Sequence, residues 1–144
     1  SPPLRSDEDR KFVEQSLKNG IIDAISSDHS PQNRDSKLLP FAQAKPGSLG
    51  LETLFSTTLS LVNAGKLRID NAIHLITSGP AKVLNLNLGI IAKGRPADLT
   101  VIEPNKSWIV KGESMQSLST NTCFEKMPMQ GTILSCWKNG RKIF

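Results

Sequence analysis

The stretch Ile21-Ile22-Asp23-Ala24-Ile25-Ser26-Ser27-Asp28-His29-Ser30-Pro31 constrains this chain most. Ile21, Ile22, Ala24 and Ile25 form a nearly continuous apolar run, the pattern of a short strand covered on both faces of a parallel sheet. Gly20 marks its start and Pro31 its end. Asp28 then falls at or just past the C-terminal end of the strand. Parallel α/β folds gather their chemistry at that edge, because the loops there vary while the strands stay rigid. Two explanations of Asp28-His29 stand at this point. One is an Asx-type turn beside a surface histidine. The other is a carboxylate that binds a metal or moves a proton. A lone Asp makes no metal site, since catalytic zinc takes about three protein ligands. Any further ligands lie elsewhere.

The flanking sequence supports an αβ unit. Two prolines hold Ser1 to Arg5 extended. Ser6-Asp7-Glu8-Asp9 reads as a capping-box start to a helix reaching about Lys18, with Phe12, Val13 and Leu17 on its apolar side. Asn19-Gly20 ends it. From Asn33 to Gly50 the chain reads as a long loop rich in Pro, Gly and Ser, and loops of this length in compact domains are often functional. Pro46-Gly47 and Gly50 in it allow close backbone approach.

Leu51, Leu54, Phe55, Leu59 and Val62 recur at helical spacing and predict a second helix to about Ala64. Asp70 is expected to cap a third helix, with Ala72, Ile73, Leu75 and Ile76 inside. Its lone histidine, His74, reads as structural or exposed. Pro80 is expected to start a short helix through Leu84. Beyond Asn87 the texture becomes β-like. Leu99 to Ile102 is a strand, Trp108 to Val110 is another candidate, and Thr132 to Ile143 reads as a hairpin turning at Asn139-Gly140.

Composition narrows the functional classes. The net charge is +5 over 144 residues, but Lys and Arg are scattered and Tyr is absent, which argues against nucleic acid. No apolar run is long enough to span a membrane, and the first residues carry no signal-peptide core. Cys123 and Cys136 lack metal-type spacing and point to a reduced, cytoplasmic setting.

Taken together, Ser1-Pro-Pro-Leu-Arg-Ser6, Ile22 to Pro31, Pro40-Phe41, and Pro46-Gly47 through Gly50-Leu51-Glu52-Thr53 resemble the C-terminal part of class I dihydroorotase. Thr77-Ser-Gly-Pro80-Ala81 and Gly94-Arg-Pro-Ala97-Asp98-Leu99 are similar to the wider amidohydrolase superfamily. Asn121-Thr122, Phe124, Gly131 and Gly140-Arg141 again resemble dihydroorotase. The resemblance covers essentially the whole chain.

It implies an α/β fold: the C-terminal fragment of a (β/α)8 TIM barrel over residues 1–87, and part of a small β-sandwich over residues 88–144. It implies zinc-dependent, reversible cyclisation of N-carbamoyl-L-aspartate to L-dihydroorotate in pyrimidine synthesis. Ile22 to Ser27 would be the eighth barrel strand. Asp28 matches the family carboxylate that binds Zn2+ and shuttles a proton. Ser1 and Gln32 stand where the family usually has substrate-contacting Asn and His, so they are expected to be variant substrate contacts. Pro46-Gly47 matches the loop whose backbone lies against substrate. The family's other metal ligands have no counterpart here. The implied partners are therefore the missing N-terminal half of the barrel and a small-molecule substrate, with a second copy or aspartate transcarbamoylase as assembly partner. A non-catalytic partner of aspartate transcarbamoylase and a hydantoinase or allantoinase are the alternatives.

Overall fold

The computed structural model describes residues 3–144. Ser1, expected to touch substrate, lies outside the described residues. The chain is α/β: among the described residues, five α-helices lead into a three-stranded antiparallel sheet whose strands lie in chain order.

Helix α1 (Asp7–Lys18) begins as its sequence predicts. The Asp9 N–H donates to Ser6 Oγ at 3.1 Å, and the Ser6 N–H donates back to the Asp9 carboxylate at 3.3 Å. It ends in a Schellman arrangement: Gly20 N–H donates to Leu17 O and Ile21 N–H to Ser16 O. Leu17 is the buried residue of its apolar side, and Phe12 and Val13 are exposed.

The following segment departs from expectation. Residues 21–28 take part in no sheet among the described residues; the sole pairing here is an isolated parallel bridge, His29 to Ser48. Ile21 is exposed, and Ile22 and Ile25 are half-buried. A strand needs neighbours to satisfy both edges, and among the described residues no strand pairs with it. Helix ends hold it instead: Ile25 N–H donates to Leu75 O at 2.8 Å. Ile22 and Ile25 also pack on a cluster of Leu17, Leu67 and Leu75.

The loop after Pro31 is not structureless. It contains α2 (Arg34–Leu38), capped by Asn33 Oδ1 accepting from the Ser36 N–H at 2.8 Å. Helix α3 (Leu54–Asn63) is preceded by a turn, so it starts three residues later than its periodicity suggests. Helix α4 (Ile69–Ile76) has Arg68, rather than Asp70, at its N-cap. Asp70 sits in the first turn and pairs with Arg68 instead. Helix α5 (Ser78–Val83) starts two residues before Pro80, which still falls within the first turn, where no intrahelical N–H bond is lost.

The two strand candidates at Leu99 and Trp108 are one strand, β1 (Leu99–Ile109). It pairs along β2 (Pro128–Lys138), and the register slips between Glu103 and Ser107, leaving Pro104 in an irregularity. β2 turns at Asn139-Gly140 into β3 (Arg141–Lys142). Both turn residues have positive φ, 49° and 77°, as a type I′ hairpin requires. Asp98 locks the turn by accepting from the Asn139 N–H at 2.7 Å and from Lys138.

Helix α3 joins the sheet at Gly131. A Cβ there would come within 2.6 Å of Leu59 and 2.8 Å of Phe55, so only glycine admits this contact. Ser56 Oγ donates to Gly131 O at 2.7 Å, and the Trp108 indole N–H donates to the same oxygen at 3.0 Å.

Candidate active site

Asp28 sits at φ 44°, in the left-handed region that Asp tolerates better than most residues. It is exposed at the rim of a cavity of about 170 Å³ whose other lining residues are Ser30, Pro46 and Gly47. Three residues singled out in the sequence, Asp28, Pro46 and Gly47, therefore meet at one pocket. Ser30 joins them. The sequence carried its signal, since Ser30 belongs to the same Asp-His-Ser-Pro stretch.

The wall is built from backbone packed on backbone. Ser30 N–H donates to Ser48 O at 2.9 Å. Gly47 has φ 123°, and a Cβ there would lie 2.6 Å from Ser30 O, so the two segments touch closer than any side chain permits. His29 is no surface ornament. Its Nδ1 accepts from the N–H groups of Gly50 and Leu51, each at 3.3 Å, which requires an unprotonated Nδ1. Histidine thus ties the end of the apolar segment to the entrance of α3.

Gln32 does not line the cavity. Its side-chain amide donates to Ser30 Oγ at 3.3 Å, one residue behind the wall. Its backbone is held by a third segment: Gln32 N–H donates to Asn121 Oδ1 at 3.2 Å, and Ser119 Oγ donates to Gln32 O. Asn121 Nδ2 and Lys37 Nζ both donate to Gly47 O, at 3.0 and 3.1 Å.

Asp28 is the single candidate metal ligand of the pocket. Among the described residues, no three His, Cys, Asp or Glu side chains gather where they could hold an ion. His74 is exposed on α4, with Nδ1 2.8 Å from Ser78 Oγ. One carboxylate does not by itself make a metal site. The larger cavity, about 320 Å³ and lined by Phe55, Trp108, Ile133 and Phe144 among others, lies at the α3–sheet joint and does not include Asp28.

A carboxylate over a narrow backbone-walled pocket, between the end of an apolar segment and a glycine loop, suits proton transfer to a small polar ligand. Residues 2–143 match the amidohydrolase family, and the chain belongs to that family. Within it, the resemblance to dihydroorotase is borne out. The chain is 38% identical to the dihydroorotase of Syntrophotalea carbinolica, over 98% of this chain and 33% of that protein. It is 35% identical to that of Aquifex aeolicus, over its whole length and 34% of that protein. It thus spans about a third of the curated relatives it matches, as a C-terminal part of them. Among solved structures, a D-hydantoinase superposes with TM-score 0.87 at 25% identity, covering 99% of this chain and 33% of that one. The D-hydantoinase (dihydropyrimidinase) of Thermus sp. gives 0.88 at 26%, covering 99% and 32%.

Proposed function

We propose that this chain is the C-terminal part of a dihydroorotase, which reversibly cyclises N-carbamoyl-L-aspartate to L-dihydroorotate in cytoplasmic pyrimidine synthesis. The observation that carries this reading is Asp28 at the rim of the pocket formed with Ser30, Pro46 and Gly47, in a chain that dihydroorotases match along its length. Residues 1–87 are taken as the end of a TIM barrel, with Ile22 to Ser27 as its eighth strand, and residues 88–144 as part of a β-sandwich. The lack of strand neighbours around residues 21–28 agrees with this, because the adjoining strands would come from the N-terminal part of the barrel.

Asp28 would supply one ligand to Zn2+, and the other ligands would come from that N-terminal part. When bound, zinc would lower the pKa of water and polarise the ring amide. The chemistry of this chain is proton transfer. In hydrolysis, water adds its oxygen to the amide carbon, the ring C–N bond breaks, and the Asp28 carboxylate takes the water proton and delivers it to the departing nitrogen. In cyclisation, the nitrogen attacks the carboxyl carbon, Asp28 takes the proton that the nitrogen loses and gives it to the departing oxygen, and with a second proton from solvent that oxygen leaves as water. Pro46 and Gly47 present backbone to the substrate. Ser1 is taken as a variant contact to it, and Gln32, whose side chain bonds Ser30 Oγ behind the wall, as a support for that wall.

Asp28→Asn in the full-length polypeptide keeps the side-chain shape and removes the base. It should lower turnover about a hundredfold or more with the fold intact; near-normal activity would defeat the assignment. A hydantoinase is the second reading, favoured by the superposed structures. Assay of N-carbamoyl-aspartate and dihydroorotate against hydantoin and allantoin separates the two. The presence of Asp28 speaks against a purely structural partner of aspartate transcarbamoylase.

A further inference from the structure

We infer that Asn121 is a positioning residue that sets the width of the Asp28 pocket from behind, and so governs substrate affinity; this rests on the cyclic-amide reading above. Asn121 lies between the short 3-10 turn Gly112–Ser114 and β2, outside the segments that line the pocket. Its side chain nevertheless reaches two of them. Oδ1 accepts from the Gln32 N–H at 3.2 Å. Nδ2 donates to Gly47 O at 3.0 Å. Its backbone carbonyl accepts from the Leu49 N–H at 2.9 Å.

The chemistry of the amide explains the residue type. One end must accept and the other donate, and Asn does both within a single short side chain. Asp has no donor for the Gly47 carbonyl, and Ala serves neither segment. Ser119 strengthens the same link by donating to Gln32 O, and the Cys123 N–H adds a parallel tie to Ser48 Oγ at 2.9 Å. The chain entering β2 is therefore laced to both sides of the glycine loop. Gly47 is a pocket wall, and the Gln32 side chain backs Ser30, the facing wall. Releasing Asn121 removes the outer brace on the two walls, leaving the Ser30 N–H to Ser48 O bond as their direct tie, and leaves Asp28 untouched, since no Asn121 contact involves it.

The test is steady-state kinetics on the full-length polypeptide, unsubstituted and as Asn121→Ala, with Ser119→Ala as a milder variant that removes one hydroxyl. Dihydroorotate, hydantoin and allantoin are each supplied as substrate, and Tm is recorded on the same samples. The expected result is a KM raised roughly tenfold by Asn121→Ala and a few-fold by Ser119→Ala, with kcat within about threefold of the unsubstituted enzyme. A KM unchanged within about twofold in both variants, with the loss falling on kcat or Tm alone, overturns the inference. Which substrate the unsubstituted enzyme turns over decides the substrate reading separately. If it turns over none of them the substrate reading fails by itself, and the brace is read from hydrogen exchange of the Ser30 amide, which bridges the walls: faster exchange in Asn121→Ala supports the inference and unchanged exchange overturns it.

Discussion

Asp28 holds a backbone conformation that disfavours any residue with a Cβ, at a cost of roughly 1–2 kcal/mol for an ordinary side chain and less for Asp. Strain of this kind collects where a side chain must point somewhere particular. Asp28→Gly should therefore relax the backbone as it removes the carboxylate. Thermal denaturation of the full-length polypeptide is expected to show Tm unchanged or slightly raised, alongside lost turnover. A fall of more than about 5 °C would mean the side chain serves structure instead. The apolar run that leads to Asp28 was legible in the sequence as a local pattern, but the strand read from it takes part in no sheet among the described residues. The roles of His29 and Asn121 were not legible. Each depends on hydrogen bonds to residues distant in the chain, and a single histidine or asparagine carries no local sign of its partner.

Elements show the same division between local and distant causes. The hairpin at Asn139-Gly140 could be read directly, because the turn type demands positive φ at both positions. The unity of β1 was hidden, since Pro104 reads as a break and only the bulge against β2 accommodates it. Helix α2 was hidden in a Pro- and Gly-rich stretch, although Asn33 with Ser36 three residues on is a capping pattern. The hairpin also carries a pH dependence. The Asp98 carboxyl is held below its ordinary value, first by the Lys138 ammonium and then by the Asn139 N–H. A lowered carboxylate contributes stability that is complete above its unfolded-state pKa and lost as pH falls through the folded one. Acid titration of the full-length polypeptide should show this contribution fading below the ordinary carboxylate range, and Asp98→Asn should remove that part of the acid dependence. An identical acid profile in the variant would mean the exposed pair contributes nothing measurable.

Across the whole molecule, exposed large apolar side chains outnumber buried ones among the described residues; Phe41 and Ile91 stand 98% and 87% exposed. Burial of apolar surface is the main force that folds a chain, and here much of it faces outward. The 144-residue chain studied alone should therefore lack a cooperative unfolding transition at ordinary temperature, by circular dichroism on heating. A sharp transition would show that it folds without any further polypeptide. The resemblance led to the expectation of uncovered apolar faces, but periodicity alone could not say which residues they hold, because an amphipathic or buried pattern is the same whether its cover lies in this chain or beyond it.

The joint at Gly131 has an optical consequence. The two tryptophans occupy opposite situations: Trp108 is half-buried with its indole N–H bonded to the Gly131 carbonyl and Ser56 Oγ, while Trp137 is exposed on the hairpin edge. Emission from Trp108 is thus tied to the seam between helix α3 and the sheet, and water entering that seam would shift it toward the red. Trp137, 37% exposed on the hairpin, adds a second emission that overlaps this shift. With Trp137→Phe as the only change, the protein's own fluorescence becomes a gauge of whether its helical portion is seated on its sheet.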